Sequence, residues 1–232
     1  MTASAPVGNR HESRSSHIRT YAGRSGRLSA LTRARLDRYL PSRALPPGSL
    51  VPLEAFGREA PVVLDLGCGH GAAAIAYAST HPSHDVLAVD VHRPGVARFL
   101  AAADAADVAN LRVEIGDAVT LLTERIRPGQ VAAVHLFFPD PWPKLKHAKR
   151  RFIRASTLDL LASRLTADGH VLVATDQPAY AEHVRSEVRA HGGFVVLDVA
   201  RPEWRPVDGF ERKGLTAGRR IVDLRLEGRS LR

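Results

Sequence analysis

One carboxylate of this sequence lies among prolines, directly after an apolar run. The run Val131–Phe138 predicts a buried strand of a parallel sheet. Pro139, Pro141 and Pro143 prevent the chain from continuing as a strand or a helix. We therefore expect Asp140 on a stiff loop at the carboxyl end of a strand, where open α/β sheets bind their ligands.

A strip of basic residues follows this loop. Residues 144–154 contain no acid and six cations: Lys144, Lys146, Lys149, Arg150, Arg151 and Arg154. A carboxylate beside such a strip is typical of a site that holds one base of a polyanion, and these cations are predicted to bind phosphates. The alternative is an acidic turn followed by a solvated basic helix.

The charge of the whole chain is unevenly distributed. Residues 1–60 hold 10 basic and 4 acidic side chains, and residues 201–232 hold 9 and 5. Because the net charge of the chain is only +9, the remainder outside these segments and the basic strip is acidic. Segregated positive charge indicates a nucleic-acid partner, whereas an ordinary solvated surface has interspersed signs.

A second candidate site is a glycine loop with an acid in front of it. Gly67, Gly69 and Gly71 lie between a predicted strand and an alanine-rich helix, so a ligand can approach the backbone closely. The spacing also satisfies the dinucleotide fingerprint. Asp65, however, would repel a pyrophosphate and attract an ammonium or sulfonium group. The sequence therefore favours S-adenosylmethionine, which carries both cations and no phosphate.

Two further carboxylates follow the next predicted strands. Asp90 lies about 20 residues beyond the glycine loop, where an acid can accept hydrogen bonds from ribose hydroxyls. Asp117 follows the third strand and could accept from the adenine amino group. The alternative is structural, with Asp65 capping a helix and Asp90 a turn.

The elements that position these residues alternate between strand and helix. Strands are predicted at Val62–Leu66, Val86–Val89, Leu111–Ile115, Val131–Phe138, His170–Ala174 and Phe194–Val199. Helices are predicted up to about Thr80, from Pro94, over Val119–Ile126, from about Lys149 to Leu165 and over Pro178–Ala190. Such βα repeats predict an α/β fold with a doubly wound, mostly parallel sheet. Arg220–Leu226 alternates as an antiparallel last strand.

The composition and the positions of the prolines indicate three segments. Residues 1–28 form a basic and flexible arm, 29–60 a helix capped by Ser29 and a proline-rich linker, and 61–232 the main domain. No apolar run approaches the ~20 residues that span a bilayer, so we expect a cytoplasmic protein without a membrane partner. The single cysteine, Cys68, and the scattered histidines predict no metal site.

Several stretches resemble one family. Phe137–Arg151, "FFPDPWPKLKHAKRR", closely resembles the signature of the bacterial tRNA (guanine-N7)-methyltransferases. Ile18–Ser29, "IRTYAGRSGRLS", resembles the amino-terminal segment of that family. The stretches "LDLGCGHG" and "AVDVHRPGV" resemble its cofactor motifs, and "RPVDGFERKG" with "VDL" resembles its substrate segment. The likeness covers nearly the whole chain from Ile18.

The resemblance implies a Rossmann-like class I methyltransferase sheet and methylation of a guanosine in the tRNA variable loop. It implies cofactor binding at Asp65, Asp90 and Asp117, and catalysis or base-holding at Asp140. It also implies substrate contacts at Lys144, Asp176 and Glu211, and we expect Asp208 to contact the substrate as well. The partner is then tRNA, and the protein a monomer or a homodimer.

Departures from the family pattern lie mostly on the substrate side. Asp65 and Asp90 stand where Glu is common and keep the charge. The larger departures are Gln177, Asp208, Gly209 and residues 219–221. Two alternatives therefore remain: a related methyltransferase with another RNA or a small-molecule substrate, and an RNA-binding subunit without catalysis.

Overall fold

The computed structural model describes Ile18, Thr20, Tyr21 and residues 27–229. The helices are α1 Ala30–Arg43, α2 Pro52–Phe56, α3 Ala72–Thr80, α4 Arg93–Ala105, α5 Ala118–Glu124, α6 Ala155–Arg164, α7 Pro178–His191 and α8 Gly209–Thr216. The strands are β1 Val62–Leu66, β2 Asp85–Asp90, β3 Leu111–Ile115, β4 Val131–Phe137, β5 Leu165–Thr175, β6 Phe194–Asp198 and β7 Val222–Gly228. The predicted arm, residues 1–28, lies almost wholly outside the described residues.

The strands form one mixed sheet in the order β3-β2-β1-β4-β5-β7-β6. Neighbouring strands from β3 to β5 are parallel, whereas β7 is inserted antiparallel between β5 and β6. The predicted fold class, including the antiparallel last strand, is confirmed. The strand order reverses between β1 and β4, and open α/β sheets bind ligands at such a point.

Helices cover both faces of the sheet. On one face, Leu64 and Leu66 of β1 pack in a core with α5, α6 and α7. On the other face, Val63 of β1 and Ala133 of β4 pack with α1, α3 and α4. Because every residue of β1 is buried, Asp65 is held inside the protein with its apolar neighbours.

The segment before β1 differs in part from the prediction. The Ser29 side chain accepts from Thr32 N at 3.1 Å, which confirms the predicted cap. The sequence predicts that a proline-rich linker follows this helix, but the first of these prolines, Pro41, lies inside α1, which continues to Arg43. A proline here removes only one hydrogen bond of the last turn.

Two elements between β4 and β7 also differ. We expected one helix from Lys149 to Leu165, but the chain forms a short 3-10 helix, Leu145–Arg150, and α6 begins only at Ala155. Phe152 and Ile153 separate the two because both are buried in the core under the sheet. Helix α8 was not predicted, since Gly209 and Gly214 lower its helix propensity. None of the described helices is long and apolar enough to cross a membrane.

Candidate active site

The glycine loop forms an open cradle between β1 and α3. Gly67 and Gly69 have φ of +76° and +57°, and no atom lies within 4 Å of where a side chain would begin. Gly71 differs, because a Cβ there would lie 1.8 Å from the ring of Phe99. The loop therefore combines space for a ligand above its first two glycines with close packing under the third.

Asp65 is a buried carboxylate at the edge of this loop. Its side chain is only 3% exposed, and it forms no ion pair with any basic side chain that the structure describes. Burial, followed by the negative charges of Asp90 and Asp208, raises the pKa of Asp65 to about 7. A cationic group placed here would relieve both effects, because it stabilises the ionised carboxylate.

Asp90 at the end of β2 braces the loop. One carboxylate oxygen accepts from Gly69 N at 2.8 Å, and the other accepts from His92 N at 2.7 Å. A carboxylate offers about four lone-pair sites, so each oxygen can accept one more hydrogen bond. Asp90 therefore stabilises the turn, as the structural alternative predicts. Its remaining lone pairs can still accept hydrogen bonds from ribose hydroxyls.

Asp117 after β3 caps the next helix. One of its oxygens accepts from Val119 N at 2.9 Å and from Thr120 N at 3.0 Å. These bonds fix the carboxylate at the same edge of the sheet as Asp65 and Asp90. Its contact with an adenine stays a prediction.

The loop after β4 carries Asp140 between two strained residues. Phe138 and Trp142 have φ of +51° and +41°, which non-glycine residues rarely adopt. Arg151 supports this backbone by donating to the carbonyl oxygens of Pro141 and Trp142 at 3.0 and 3.2 Å. The result is an exposed Asp140 on a braced loop, next to the strand that carries Asp65. Strain of this kind is found where function fixes a conformation.

Trp142 packs within the protein, although its place in the Asp140 loop would also suit stacking on RNA. Its Nε1 donates to the Thr20 carbonyl at 3.1 Å, and the Arg150 guanidinium lies over its ring at 3.6 Å. Arg150 in turn donates to the Tyr21 carbonyl at 2.9 Å. The structure therefore favours the packing role. Arg150 covers one face of the ring, and the hydrogen bond of the indole connects Thr20 to the Asp140 loop.

The predicted phosphate-binding cations fall into two groups. Arg150, Arg151 and Arg154 are partly buried and donate to backbone carbonyls, Arg154 to that of Lys149 at 3.0 Å. Three others are exposed and form no ion pair with a carboxylate of the described part of the chain: Lys144, Lys146 and Lys149. Contact with RNA phosphates stays a prediction for all six, and the exposed lysines are the better placed.

The predicted substrate residues near α8 are largely engaged within the protein. Glu211 is 1% exposed, and one of its oxygens accepts from Arg201 Nε at 2.7 Å. Asp176 pairs with Arg219 at 2.8 Å. Asp208 directly precedes α8, and one of its oxygens is buried without a hydrogen-bond partner among the described residues. Direct substrate contact by Glu211 would require this region to open.

Sequence reasoning missed the segment between β6 and α8. Trp204 stacks on His135 of β4 with ring centroids 5.0 Å apart, beside Asp65, which pairs with His135 across the two strands. Burial, then the charges of His170 and His81, lowers the pKa of His135 to about 3. Arg205 is fully buried. A single arginine and a single tryptophan in an irregular segment give no periodic signal that predicts such packing.

The seven-stranded sheet with helices on both faces has the fold of the class I methyltransferases. Residues 59–224 match the family described as "Putative methyltransferase". Among solved structures, the 16S rRNA methyltransferase KamB has a TM-score of 0.57 at 18% identity, covering 80% of this chain and 97% of its own. The antibiotic-resistance methyltransferase Kmr has a TM-score of 0.51 at 20% identity, covering 81% and 99%. At these identities the likeness shows the fold.

Curated relatives give the family. The tRNA (guanine-N(7)-)-methyltransferase of Nitrosospira multiformis is 39% identical, over 89% of this chain and 93% of its own length. The proteins of that name from Salmonella typhimurium and Mycolicibacterium paratuberculosis are 39% and 38% identical, over 90% and 96% of this chain and 91% and 92% of theirs. The chain belongs to the tRNA (guanine-N7-)-methyltransferase family, and the resemblance drawn from the sequence is confirmed.

Proposed function

We propose that this protein transfers a methyl group from S-adenosylmethionine to N7 of a guanosine in the variable loop of tRNA. The observation that carries the proposal is that the carboxylate of Asp65 is buried beside an open glycine loop. None of the basic side chains that the structure describes forms an ion pair with it. Membership of the family supports the substrate. A tRNA substrate also agrees with the expected cytoplasmic location.

The residues around the glycine loop fit this methyl donor. Asp65 suits its ammonium or sulfonium charge, and the space above Gly67 and Gly69 admits a ligand close to the backbone. Asp90 is fixed by the loop and has lone pairs left for ribose hydroxyls. When bound, the donor supplies an electrophilic methyl group on its sulfonium.

Asp140 is proposed to hold the guanine. Asp140 is an exposed residue on a loop where residues 139, 141 and 143 are prolines without an N–H. Guanine N1–H and its exocyclic amine can both donate to one carboxylate, which accepts only. Adenine offers an acceptor at N1, so a carboxylate discriminates against it.

No general base is needed for this reaction. Guanine N7 has a free lone pair, so the protein has to align the base with the methyl group and hold it there, which is catalysis by orientation. Methylation places positive charge on the base. A fixed Asp140 carboxylate therefore interacts more strongly with the transition state than with the substrate.

The direct test is incubation of the purified protein with labelled methyl donor and unmodified tRNA, followed by nucleoside analysis. We expect label in 7-methylguanosine at one position of the variable loop. Free guanosine and a tRNA with adenosine at that position serve as matched substrates and should stay unlabelled. Label in another nucleoside, or in free guanosine at a comparable rate, would contradict the proposal.

A further inference from the structure

Arg205 is the largest fully buried side chain of the described residues and is only 2% exposed. Its guanidinium binds both oxygens of Asp223 on β7, Nη1 to Oδ1 at 2.5 Å and Nη2 to Oδ2 at 3.2 Å. A bidentate pair of this kind fixes the plane of the guanidinium as well as its position.

The same guanidinium reaches the first turn of α8. Nη2 lies 3.4 Å from Oε1 of Glu211, and Nε lies 3.4 Å from Oε2. Arg201 also binds Glu211, because its Nε donates to Oε1 at 2.7 Å. Arg201 donates as well to the backbone oxygen of Arg205. Two arginines therefore neutralise Glu211 and Asp223 and connect α8 to β7.

The guanidinium also contacts the beginning of the Asp140 loop. It lies 4.9 Å from the ring centroid of Phe137 and 5.8 Å from that of Phe138, both within the range of a cation–π contact. Phe138 is the residue with φ of +51° from which the loop departs. Its N–H donates to the Ala174 carbonyl at 2.8 Å, so this residue has one backbone anchor and one side-chain anchor.

We propose that Arg205 is a positioning residue for methyl transfer, which sets the spacing between α8 with Glu211 and the loop with Asp140. This inference rests on the proposed function. Arg205 itself is too deeply buried to touch tRNA, so it acts through the two elements that it joins. Displacing a reacting group by ~1 Å is enough to cost on the order of 10²-fold in rate.

Lysine cannot replace arginine at this position. An ammonium group keeps the charge but has no planar fork to bind both oxygens of Asp223 and no flat face for the Phe137 ring. Arg205→Lys therefore removes the geometry while leaving a cation between the two carboxylates. Arg225→Lys is the matched control, because Arg225 lies on the same strand as Asp223. Among the described residues its one ion pair is with Glu227 at 2.6 Å, away from the loop.

The experiment compares wild type, Arg205→Lys and Arg225→Lys in three measurements. These are steady-state tRNA methylation, calorimetric affinity for S-adenosylhomocysteine, and amide hydrogen exchange of the peptide containing residues 138–144. For Arg205→Lys we expect a kcat lower by ~10- to 100-fold, a KM for tRNA within threefold of wild type, unchanged affinity for S-adenosylhomocysteine, and faster exchange in that peptide. Arg225→Lys should match wild type throughout.

A kcat within twofold of wild type together with unchanged exchange would overturn the inference, as would a loss shared equally by Arg225→Lys. If Arg205→Lys does not fold, Asp223→Asn weakens the same anchor while keeping its shape, and the same outcomes decide. If wild type does not methylate tRNA, the proposed function fails. The exchange measurement then still decides whether Arg205 holds the loop.

Discussion

Replacing Asp65 by Asn should stabilise the ligand-free protein at neutral and alkaline pH. The pKa of this carboxyl group rises from 3.8 to about 7 in the folded protein, chiefly because of burial. The folded state therefore holds the proton more tightly than the unfolded chain. The protonated Asp65 therefore contributes fully to the stability of the folded state below pH ~4, and this contribution is lost as the pH rises through about 7.

The size of this effect follows from the two pKa values. Each tenfold difference between the protonation constants is worth ~1.4 kcal/mol, so ionising Asp65 costs the fold about 4 kcal/mol above pH 8. At pH 5 the cost is ~2 kcal/mol, because the unfolded chain is already mostly ionised there. An uncharged Asn side chain of similar shape does not titrate. The stability difference between Asp65→Asn and wild type should therefore grow by roughly 2–3 kcal/mol between pH 5 and pH 8.

Urea unfolding of both proteins at pH 5 and pH 8 measures this difference. Groups that titrate in both proteins, His135 among them, cancel in the comparison. The same variant should lose affinity for the methyl donor in calorimetry, because the carboxylate that is costly to bury is the one that receives a cation. An equal stability difference at both pH values would refute the account of Asp65.

Three further outcomes are expected. Asp140→Asn should lower kcat by on the order of 10²–10³ without changing methyl-donor affinity, because an amide offers a donor to guanine and supplies no charge; a kcat close to the wild-type value would make Asp140 a turn residue. Lys146→Ser with Lys149→Ser should reduce the log–log salt slope of tRNA affinity by ~0.7–0.9 for each phosphate that the variant no longer neutralises, and an unchanged slope would mean that these lysines face away from RNA. Gly71→Ala should lower unfolding free energy and donor affinity together, each by ~1–3 kcal/mol, since the new methyl would meet the ring of Phe99. Retention of both values would show that Phe99 moves aside easily.

The elements that carry the candidate cofactor residues were predictable, because their patterns are local. An apolar run such as Val62–Leu66 followed by glycines gives a strand and a turn, and a parallel arrangement then brings Asp65 and Asp90 to one edge. The apolar run before Pro139 likewise forms β4, although the strand ends at Phe137, one residue earlier than predicted. These inferences need only residue types, spacing and the geometry of parallel sheets.

The engagement of individual charged side chains was not predictable from spacing. Arg151 follows a run of basic residues, yet it donates to carbonyls of a loop ten residues earlier. Glu211 lies in a polar stretch typical of a surface, yet Arg201 and Arg205 draw it into the interior. Both outcomes depend on which distant backbone groups or charged side chains lie next to the residue in the packed fold, and the local sequence does not show this.

The two tryptophans of the sequence make the two halves of the site separately visible in fluorescence. Trp142 lies under the guanidinium of Arg150 on the loop that is proposed to hold the base. Trp204 is stacked on His135 beside Asp65, on the side that is proposed to bind the methyl donor. In Trp204→Phe the remaining emission would report tRNA arriving, and in Trp142→Phe it would report the methyl donor. The order in which the two substrates bind can thus be followed in real time without attaching a dye.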